Sequence, residues 1–106
     1  MNEKRLVKEI LENDQKAINK FYRTYRAEIF NYIKRKISNS GDAEEVLQDT
    51  FISAFDSLPL FRFNSSLSTW LYSIALHEIS GFYRKKKIKT VVFSRFSFLR
   101  KLVDQA

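Results

Sequence analysis

Apolar residues recur at intervals of three and four along most of the chain, and this spacing predicts amphipathic α-helices. The first predicted helix covers residues 3–12. The second begins after Asn13 or Asp14, either of which is a good N-cap, and its apolar face is rich in isoleucine and aromatic residues. Turn-forming residues at positions 38–41 end it. The N-terminal part of the chain therefore predicts two helices joined by a short turn.

Two further helices follow from the same pattern. The third is expected to begin at Asp42, whose carboxylate is placed to cap the first turn, and to stop at Pro59, which cannot continue a helix. A loop over residues 59–66 comes next. Ser65 or Ser66 is the expected N-cap of the fourth helix, because a serine oxygen accepts hydrogen bonds from the free amides of a first turn.

The end of the chain departs from this regular pattern. We expect the fourth helix to reach about Lys87, weakened by about 1 kcal/mol at Gly81, which allows a bend or a close approach of another element. A domain over residues 1–89 is then followed by a linker or C-terminal extension over residues 90–106, which contains a short helix. Apolar side chains are unusual in solvent, so we expect some in this extension to pack on the domain or on another chain. These residues are Val91, Val92, Phe93, Phe96 and Phe98.

Composition supports a single all-α domain. Of the 106 residues only two are glycine and one is proline, so turn-forming residues are too few for an all-β fold. Aromatic residues make up 15% of the chain, which is ample for a core. The prediction is a compact bundle of about four helices with a basic C-terminal extension. The absence of cysteine excludes disulfides and thiolate chemistry and is compatible with a cytoplasmic location.

The sequence contains few features that are typical of an enzyme. It has no histidine, aspartate and glutamate cluster with metal-ligand spacing and no glycine-rich phosphate loop, so no cofactor is expected. No apolar run approaches the ~20 residues of a membrane span. The acids of residues 42–49 lack a histidine or lysine partner on their helix that would make them general acids or bases. We therefore expect a protein without catalytic residues.

Charge is unevenly distributed along the chain. The net charge is +7, yet residues 40–60 contain five acids and no base, whereas residues 61–106 contain nine bases and two acids. Opposite charges in separate segments indicate two different partners on two faces. The alternative is that both segments are ordinary solvated helix surfaces.

Five motifs occur in an order that resembles a known family. They are FYRTYRAEIFNYI in the second helix, DAEEVLQDTF in the third, LFRFNSSLSTW through the loop, WLYSIA at the start of the fourth helix and FYRKKK near its end. Each motif alone is weak, but the ordered set resembles region 2 of the sigma-70 family, in particular its extracytoplasmic-function (ECF) group. Complete members of that family also have a C-terminal helix-turn-helix domain for the −35 element, which we do not find in these 106 residues.

The resemblance implies a polymerase-docking surface on the third helix. In the family this helix binds the clamp helices of the largest subunit of core RNA polymerase, and a basic coiled coil is the electrostatic complement of an acidic helix. Asp42 has a second explanation as a helix cap, and Phe51 of the motif falls on the predicted core face. The residues expected at the docking surface are Asp42, Glu44, Glu45, Gln48 and Asp49.

The loop is implied to capture a base flipped out of the −10 promoter element. Unstacking a base costs a few kcal/mol, which a pocket with stacking and hydrogen-bonding groups must offset. Phe61 is either a wall of that pocket or an anchor in the core, whereas Phe63 is harder to bury and is favoured as a functional residue. The expected base-capture residues are Phe61, Arg62, Phe63, Asn64, Ser65 and Ser66.

The fourth helix is implied to hold the non-template strand of the −10 element. Trp70 is either a core residue or a wedge against that strand, and Tyr72 is expected to be more exposed. His77 stands where the family usually has asparagine, and Gly81 where it usually has an acid, so base preference at the −10 element is left open. The expected contacts to the strand and its phosphates are Trp70, Tyr72, His77, Tyr83, Arg84, Lys85, Lys86, Lys87 and Lys89.

The sequence thus predicts a sigma factor domain that binds core RNA polymerase and recognises and melts the −10 element, with an anti-sigma factor as a further partner. Two alternatives remain. One is a basic helical protein that binds duplex DNA without polymerase, and the other is a sigma-like interaction module or decoy that binds an anti-sigma factor. Residues 84–103 also allow a basic amphipathic helix on an anionic membrane.

Overall fold

The computed structural model describes residues 2–105 and confirms the all-α prediction. Four α-helices and one 3-10 turn make up the regular structure of this part of the chain, and no strand occurs within it. None of its helices has both the length and the apolar character needed to cross a bilayer. The elements are α1 (Glu3–Leu11), α2 (Gln15–Lys36), α3 (Ser40–Ser57), the 3-10 turn (Leu58–Leu60) and α4 (Leu67–Gln105).

Side-chain caps fix where α2 and α3 begin. Asp14 accepts a hydrogen bond from the Lys16 amide at 2.9 Å, which confirms one of the two predicted caps of α2. The predicted start of α3 at Asp42 was wrong, because Asn39 takes the capping role and accepts the Asp42 amide at 2.9 Å. Asp42 instead lies within the first turn, where the helix dipole favours its negative charge.

The core lies between α2, α3 and α4, with α2 at its centre. Phe21 of α2 is fully buried, and its ring meets those of Tyr25, Phe51 and Phe55 at centroid distances of 5.3, 5.8 and 5.5 Å. Tilted and edge-to-face aromatic pairs of this kind add stability beyond the area they bury. Phe51 is only 3% exposed, which confirms the prediction that it belongs to the core.

α1 packs against α2 and the 3-10 turn. Its buried residues are Leu6, Val7 and Ile10. The chain reverses at Asn13, whose φ of 62° lies in the left-handed region that asparagine tolerates well. The Asn13 amide donates to the Ile10 carbonyl at 2.9 Å, which closes the turn. This turn folds α1 back over the bundle, so that its first residues reach the beginning of α4.

α4 is longer than predicted. It is continuous from Leu67 to Gln105, so the predicted end near Lys87 and the separate short helix beyond it were wrong. No proline or glycine follows Lys87, and the one glycine inside the helix, Gly81, costs about 1 kcal/mol, which is too little to end it. A Cβ atom at Gly81 would meet no atom within 4 Å, so no element approaches closely there.

The C-terminal part of α4 projects from the bundle. The molecule measures 68 Å along its longest axis and 25 and 24 Å across it. The prediction that apolar residues of the extension pack back on the domain was wrong, because α4 continues past the ends of its neighbours. Packing on another chain stays a prediction, as does a domain boundary between residues 89 and 90. The five residues concerned are 43–71% exposed: Val91, Val92, Phe93, Phe96 and Phe98.

Candidate functional site

The beginning of α4 is held by two polar contacts. Ser66 Oγ accepts a hydrogen bond from the Thr69 amide at 3.1 Å, which confirms the predicted serine cap. From α1, the Glu3 carboxylate accepts the Leu67 amide at 3.0 Å for Oε1 and 3.2 Å for Oε2. A carboxylate is well placed at a helix N-terminus, since its negative charge opposes the positive end of the dipole. α1 therefore fixes the point at which the loop enters α4.

Three aromatic rings form a layer between the loop and α4. The Phe61 ring lies 5.0 Å from that of Trp70 and 4.6 Å from that of Phe63, centroid to centroid. Phe61 and Trp70 are half-buried and pack against the core, whereas Phe63 is 39% exposed. Phe61 therefore anchors the loop on the core, as one of its two interpretations predicted, whereas its role as a wall of the base pocket stays a prediction.

Phe63 has an unusual backbone conformation. Its φ is 59°, in the left-handed region that a bulky residue rarely adopts. Such a conformation costs about 1–2 kcal/mol, and strain of this kind concentrates at functional sites. The loop thus keeps an aromatic face at the surface at some expense to its own stability.

The residues next to Phe63 in the chain, on both sides, are polar and exposed, and they add hydrogen-bond donors and acceptors to the loop. Two features were not predicted. Leu60, just before the aromatic layer in the chain, is 80% exposed, and Lys4 of α1 has its Nζ 5.8 Å from the centroid of the Phe63 ring. No sequence signal pointed to Lys4, because α1 lies before the first of the motifs. The polar loop residues are Arg62, Asn64, Ser65 and Ser66.

Tyr72 is engaged with α2. Its hydroxyl donates to Oε2 of Glu28 at 3.1 Å, and its ring meets that of Tyr32 edge to face at 5.0 Å. Burial, together with the hydrogen bond to the Glu28 carboxylate, raises the pKa of Tyr72. Tyr72 and Trp70 are both half-buried, so the predicted contrast in exposure between them is absent.

One face of α4 is mostly polar and open to solvent, with Leu76 (48% exposed) as an apolar residue on it. Ser73, His77, Ser80 and Arg84 are exposed and follow helical spacing, so they lie along one side of the helix. Tyr83 is also exposed, but its hydroxyl donates to the carbonyl of Lys36 at the end of α2. This polar side leads from the loop towards the other predicted phosphate contacts, all of them exposed, which are Lys85, Lys86, Lys87 and Lys89.

The acidic surface of α3 is partly neutralised by the domain itself. Glu44 Oε1 lies 2.9 Å from Nη2 of Arg26, and the Arg26 Nε donates to the hydroxyl of Tyr22 at 3.1 Å. The Glu44 carboxylate is therefore already paired with a base of the domain. The predicted docking surface is not made only of unpaired carboxylates. The other acids of the surface form no ion pair within residues 2–105. Glu45 and Gln48 are exposed, and Asp42 and Asp49 are half-buried.

α3 and α4 also bring opposite charges together. The first turn of α3 and the basic part of α4 line a surface groove of about 260 Å³. The two charged segments therefore do not occupy wholly separate faces, as their separation along the sequence suggested. Gln48 and Asp49 are not among the residues that line this groove. Those residues are Asp42, Glu45, Phe82, Lys85, Lys86 and Lys89.

Together, the acidic helix, the aromatic loop and the basic helix define a helical domain of the class found in sigma-type transcription initiation factors. Residues 21–88 match the family described as Sigma-70 region 2. The chain belongs to this family, and its relatives place it among the ECF sigma factors, which confirms the resemblance seen in the sequence.

Curated relatives share the region but are longer. RNA polymerase sigma factor YlaC of Bacillus subtilis (strain 168) is 42% identical over 69 residues, which are 65% of this chain and 40% of that protein. ECF RNA polymerase sigma factor SigW of the same strain is 33% identical over 84 residues, 79% of this chain and 45% of SigW. ECF RNA polymerase sigma-E factor of Escherichia coli (strain K12) is 35% identical over 77 residues, 73% of this chain and 40% of sigma-E. The chain spans less than half the length of these relatives.

A solved structure has the same fold. The NMR structure of an engineered region 2 of sigmaE in complex with GTAAAA matches with a TM-score of 0.73 and 31% identity. The match covers 84% of this chain and 97% of the sigmaE chain. Most of the four-helix domain is therefore a sigma region 2 fold.

Proposed function

We propose that this chain is the domain of a sigma factor that binds core RNA polymerase and recognises and melts the −10 promoter element. Melting by this route needs no catalytic residue, because it depends on trapping unpaired bases rather than on breaking bonds. Its proposed place of action is the cytoplasm, where polymerase and promoters meet.

The observation that carries the proposal is the exposed Phe63 ring at the end of the aromatic layer. A base flipped out of a duplex loses its stacking, and an aromatic side chain restores about 1–3 kcal/mol of it. The Phe63 ring is 39% exposed on a strained backbone, and the polar residues beside it in the loop are proposed to supply hydrogen bonds to a base edge. The solved sigmaE region 2 with GTAAAA supports a short strand as the ligand.

The polar side of α4 and its basic end suit the sugar-phosphate backbone. His77 and Arg84 lie on that side, and Lys85 and Lys87 follow in the same exposed region. Lysine and arginine contacts to phosphates give affinity without sequence preference, and that affinity falls as salt rises. We propose that these residues hold the non-template strand while the loop takes one of its bases.

The acidic surface of α3 is the proposed site for the clamp helices of core polymerase. Glu45 and Gln48 are exposed and Asp49 is half-buried, and none of them is paired with a base of this domain within residues 2–105. Charge complementarity of this kind speeds and orients docking. We propose that Glu44 contributes less, because Arg26 already holds its carboxylate. An anti-sigma factor that masks this surface is a further proposed partner.

The docking proposal is tested by charge reversal. Gln48→Lys with Asp49→Lys should abolish retention of core RNA polymerase on the immobilised chain and leave binding to single-stranded DNA intact, because neither residue lines the groove that contains Lys85, Lys86 and Lys89. Asp56→Lys is the matched control, because Asp56 is exposed on the same helix but lies outside the docking residues. Equal retention by the wild type and both variants would mean that polymerase docks elsewhere on the chain, whereas no retention even by the wild type would favour a DNA-binding protein that works without polymerase.

The strand-binding proposal is tested by fluorescence anisotropy at two salt concentrations. Single-stranded GTAAAA should bind more tightly than the same sequence in a duplex, because the loop takes an unpaired base. Raising the salt should weaken both complexes. A duplex bound as tightly as the single strand would argue against base capture and for the polymerase-independent alternative.

A further inference from the structure

Lys4 is a free cation beside the exposed aromatic ring of the loop. Its Nζ lies 5.8 Å from the centroid of Phe63, and its side chain is exposed. Within residues 2–105, no carboxylate forms an ion pair with it. The next residue, Arg5, is by contrast paired with Glu9 at 3.0 Å. Of these two neighbouring bases, Lys4 is therefore the one available to a ligand of the loop.

The position of Lys4 relative to the loop is fixed by its neighbour. Both oxygens of the Glu3 carboxylate accept a hydrogen bond from the backbone amide of Leu67, the first residue of α4. The backbone of Lys4 is therefore held close to the end of the loop, and its side chain is exposed. Its flexible four-carbon stem lets the ammonium group move towards a ligand without moving the helix.

We infer that Lys4 binds a phosphate of the nucleotide whose base stacks on Phe63. A nucleotide presents a flat base and a charged phosphate a short distance apart, and the site offers an aromatic ring with an unpaired ammonium 5.8 Å from its centroid. α1 thus becomes part of the nucleotide site, although it precedes the region matched by the family, residues 21–88. The inference rests on the proposed function, since it needs a strand bound at the loop.

The simplest test compares two lysine deletions. Lys4→Ala should weaken binding of single-stranded GTAAAA by about three- to tenfold and reduce the slope of log affinity against log salt by about 0.7, the effect of one lost phosphate contact on a single strand. Lys4→Arg should restore most of the affinity. Lys16→Ala is the matched control, because it removes the same charge from an exposed position at the start of α2, beyond the far end of α1, and should change affinity less than twofold.

A double variant tests whether Lys4 acts through the nucleotide held at the ring, and the salt slope separates phosphate binding from mere support of the ring. The Phe63→Gly variant has no ring to hold a base, so adding Lys4→Ala to it should lower the affinity for single-stranded GTAAAA by less than about twofold. Lys4→Ala could weaken binding of the strand and yet leave the slope of log affinity against log salt unchanged. That result would mean that Lys4 only supports Phe63, and the inference would be wrong. If the wild-type chain binds single-stranded GTAAAA and the Lys4→Ala and Lys16→Ala variants bind it with equal affinity, the inference fails and the proposed function stands. If the wild-type chain binds no single strand of GTAAAA or its single-base variants, both fail.

Discussion

The Glu3 carboxylate and the Leu67 amide lie 64 residues apart in sequence and are joined by hydrogen bonds of 3.0 and 3.2 Å. This contact ties the N-terminal helix to the start of α4, where the loop ends. It combines a charged acceptor with a helix N-terminus, two conditions that strengthen a hydrogen bond. The N-terminal helix thereby determines how the aromatic loop is presented.

Removing this contact should destabilise the domain. Glu3→Ala should lower the free energy of unfolding by about 1–2 kcal/mol, because the Leu67 amide loses a charged partner that is partly shielded from solvent. Urea denaturation followed by circular dichroism measures the change. Glu9→Ala is the control on the same helix: its ion pair with Arg5 is on the surface, so the expected loss is below about 0.5 kcal/mol. Similar losses for both variants would contradict a special role for Glu3.

The strain at Phe63 predicts an inverted order of two small substitutions. At most positions alanine is at least as stable as glycine, but at a φ of 59° glycine avoids the steric cost of a Cβ atom. Phe63→Gly should therefore be more stable than Phe63→Ala by about 1 kcal/mol, measured by thermal or urea unfolding. Both variants lose the ring and should lose the same strand affinity. An alanine variant as stable as the glycine variant would show that the residue is not strained.

Gly81 offers a stabilising substitution. Gly81→Ala should raise the free energy of unfolding by about 0.5–1 kcal/mol, because alanine favours the helix and its Cβ would meet no atom within 4 Å. Gly41→Ala is a matched comparison at the other glycine of the chain. There the new Cβ would lie 3.3 Å from Oδ1 of Asn39, which caps α3, so a smaller gain is expected. Destabilisation by Gly81→Ala would indicate a bend that the continuous helix does not have.

The projecting end of α4 should contribute little to stability. Ending the chain after Lys89 should change the free energy of unfolding by less than about 1 kcal/mol, because the five apolar residues named above are 43–71% exposed. The same truncation should reduce concentration-dependent self-association, measured by sedimentation, because it removes an exposed apolar surface. A large loss of stability would show that residues 90–105 pack on the domain after all.

The helices themselves were largely predictable, because apolar spacing and the scarcity of glycine and proline act locally along the chain. The first and last residues of the helices were less predictable. Asn39 and Asp42 are both good capping residues, and only the fold decides between them. The end of α4 was missed for a related reason: a change in apolar pattern near Lys89 looked like a boundary, but no residue there breaks a helix.

The candidate site was predictable where a motif marked it and not where the fold assembled it. The loop and the acidic helix were found from consecutive residues. The Arg26–Glu44 ion pair and the approach of Lys4 to Phe63 join separate helices, so no spacing along the chain reveals them. The left-handed backbone of Phe63 was also invisible, because phenylalanine is a residue for which that conformation is not expected.

The most direct measurement of base capture is the affinity of the wild-type chain and of Phe63→Gly for single-stranded GTAAAA and for its complement, TTTTAC, at one salt concentration. The wild-type chain should bind one of the two strands at least about fivefold more tightly than the other, and Phe63→Gly should bind that strand at least about fivefold more weakly than the wild type, as expected for one lost stacking contact. If the wild-type chain bound the two strands with equal affinity, and Phe63→Gly bound them as tightly as the wild type, the result would contradict base capture by Phe63.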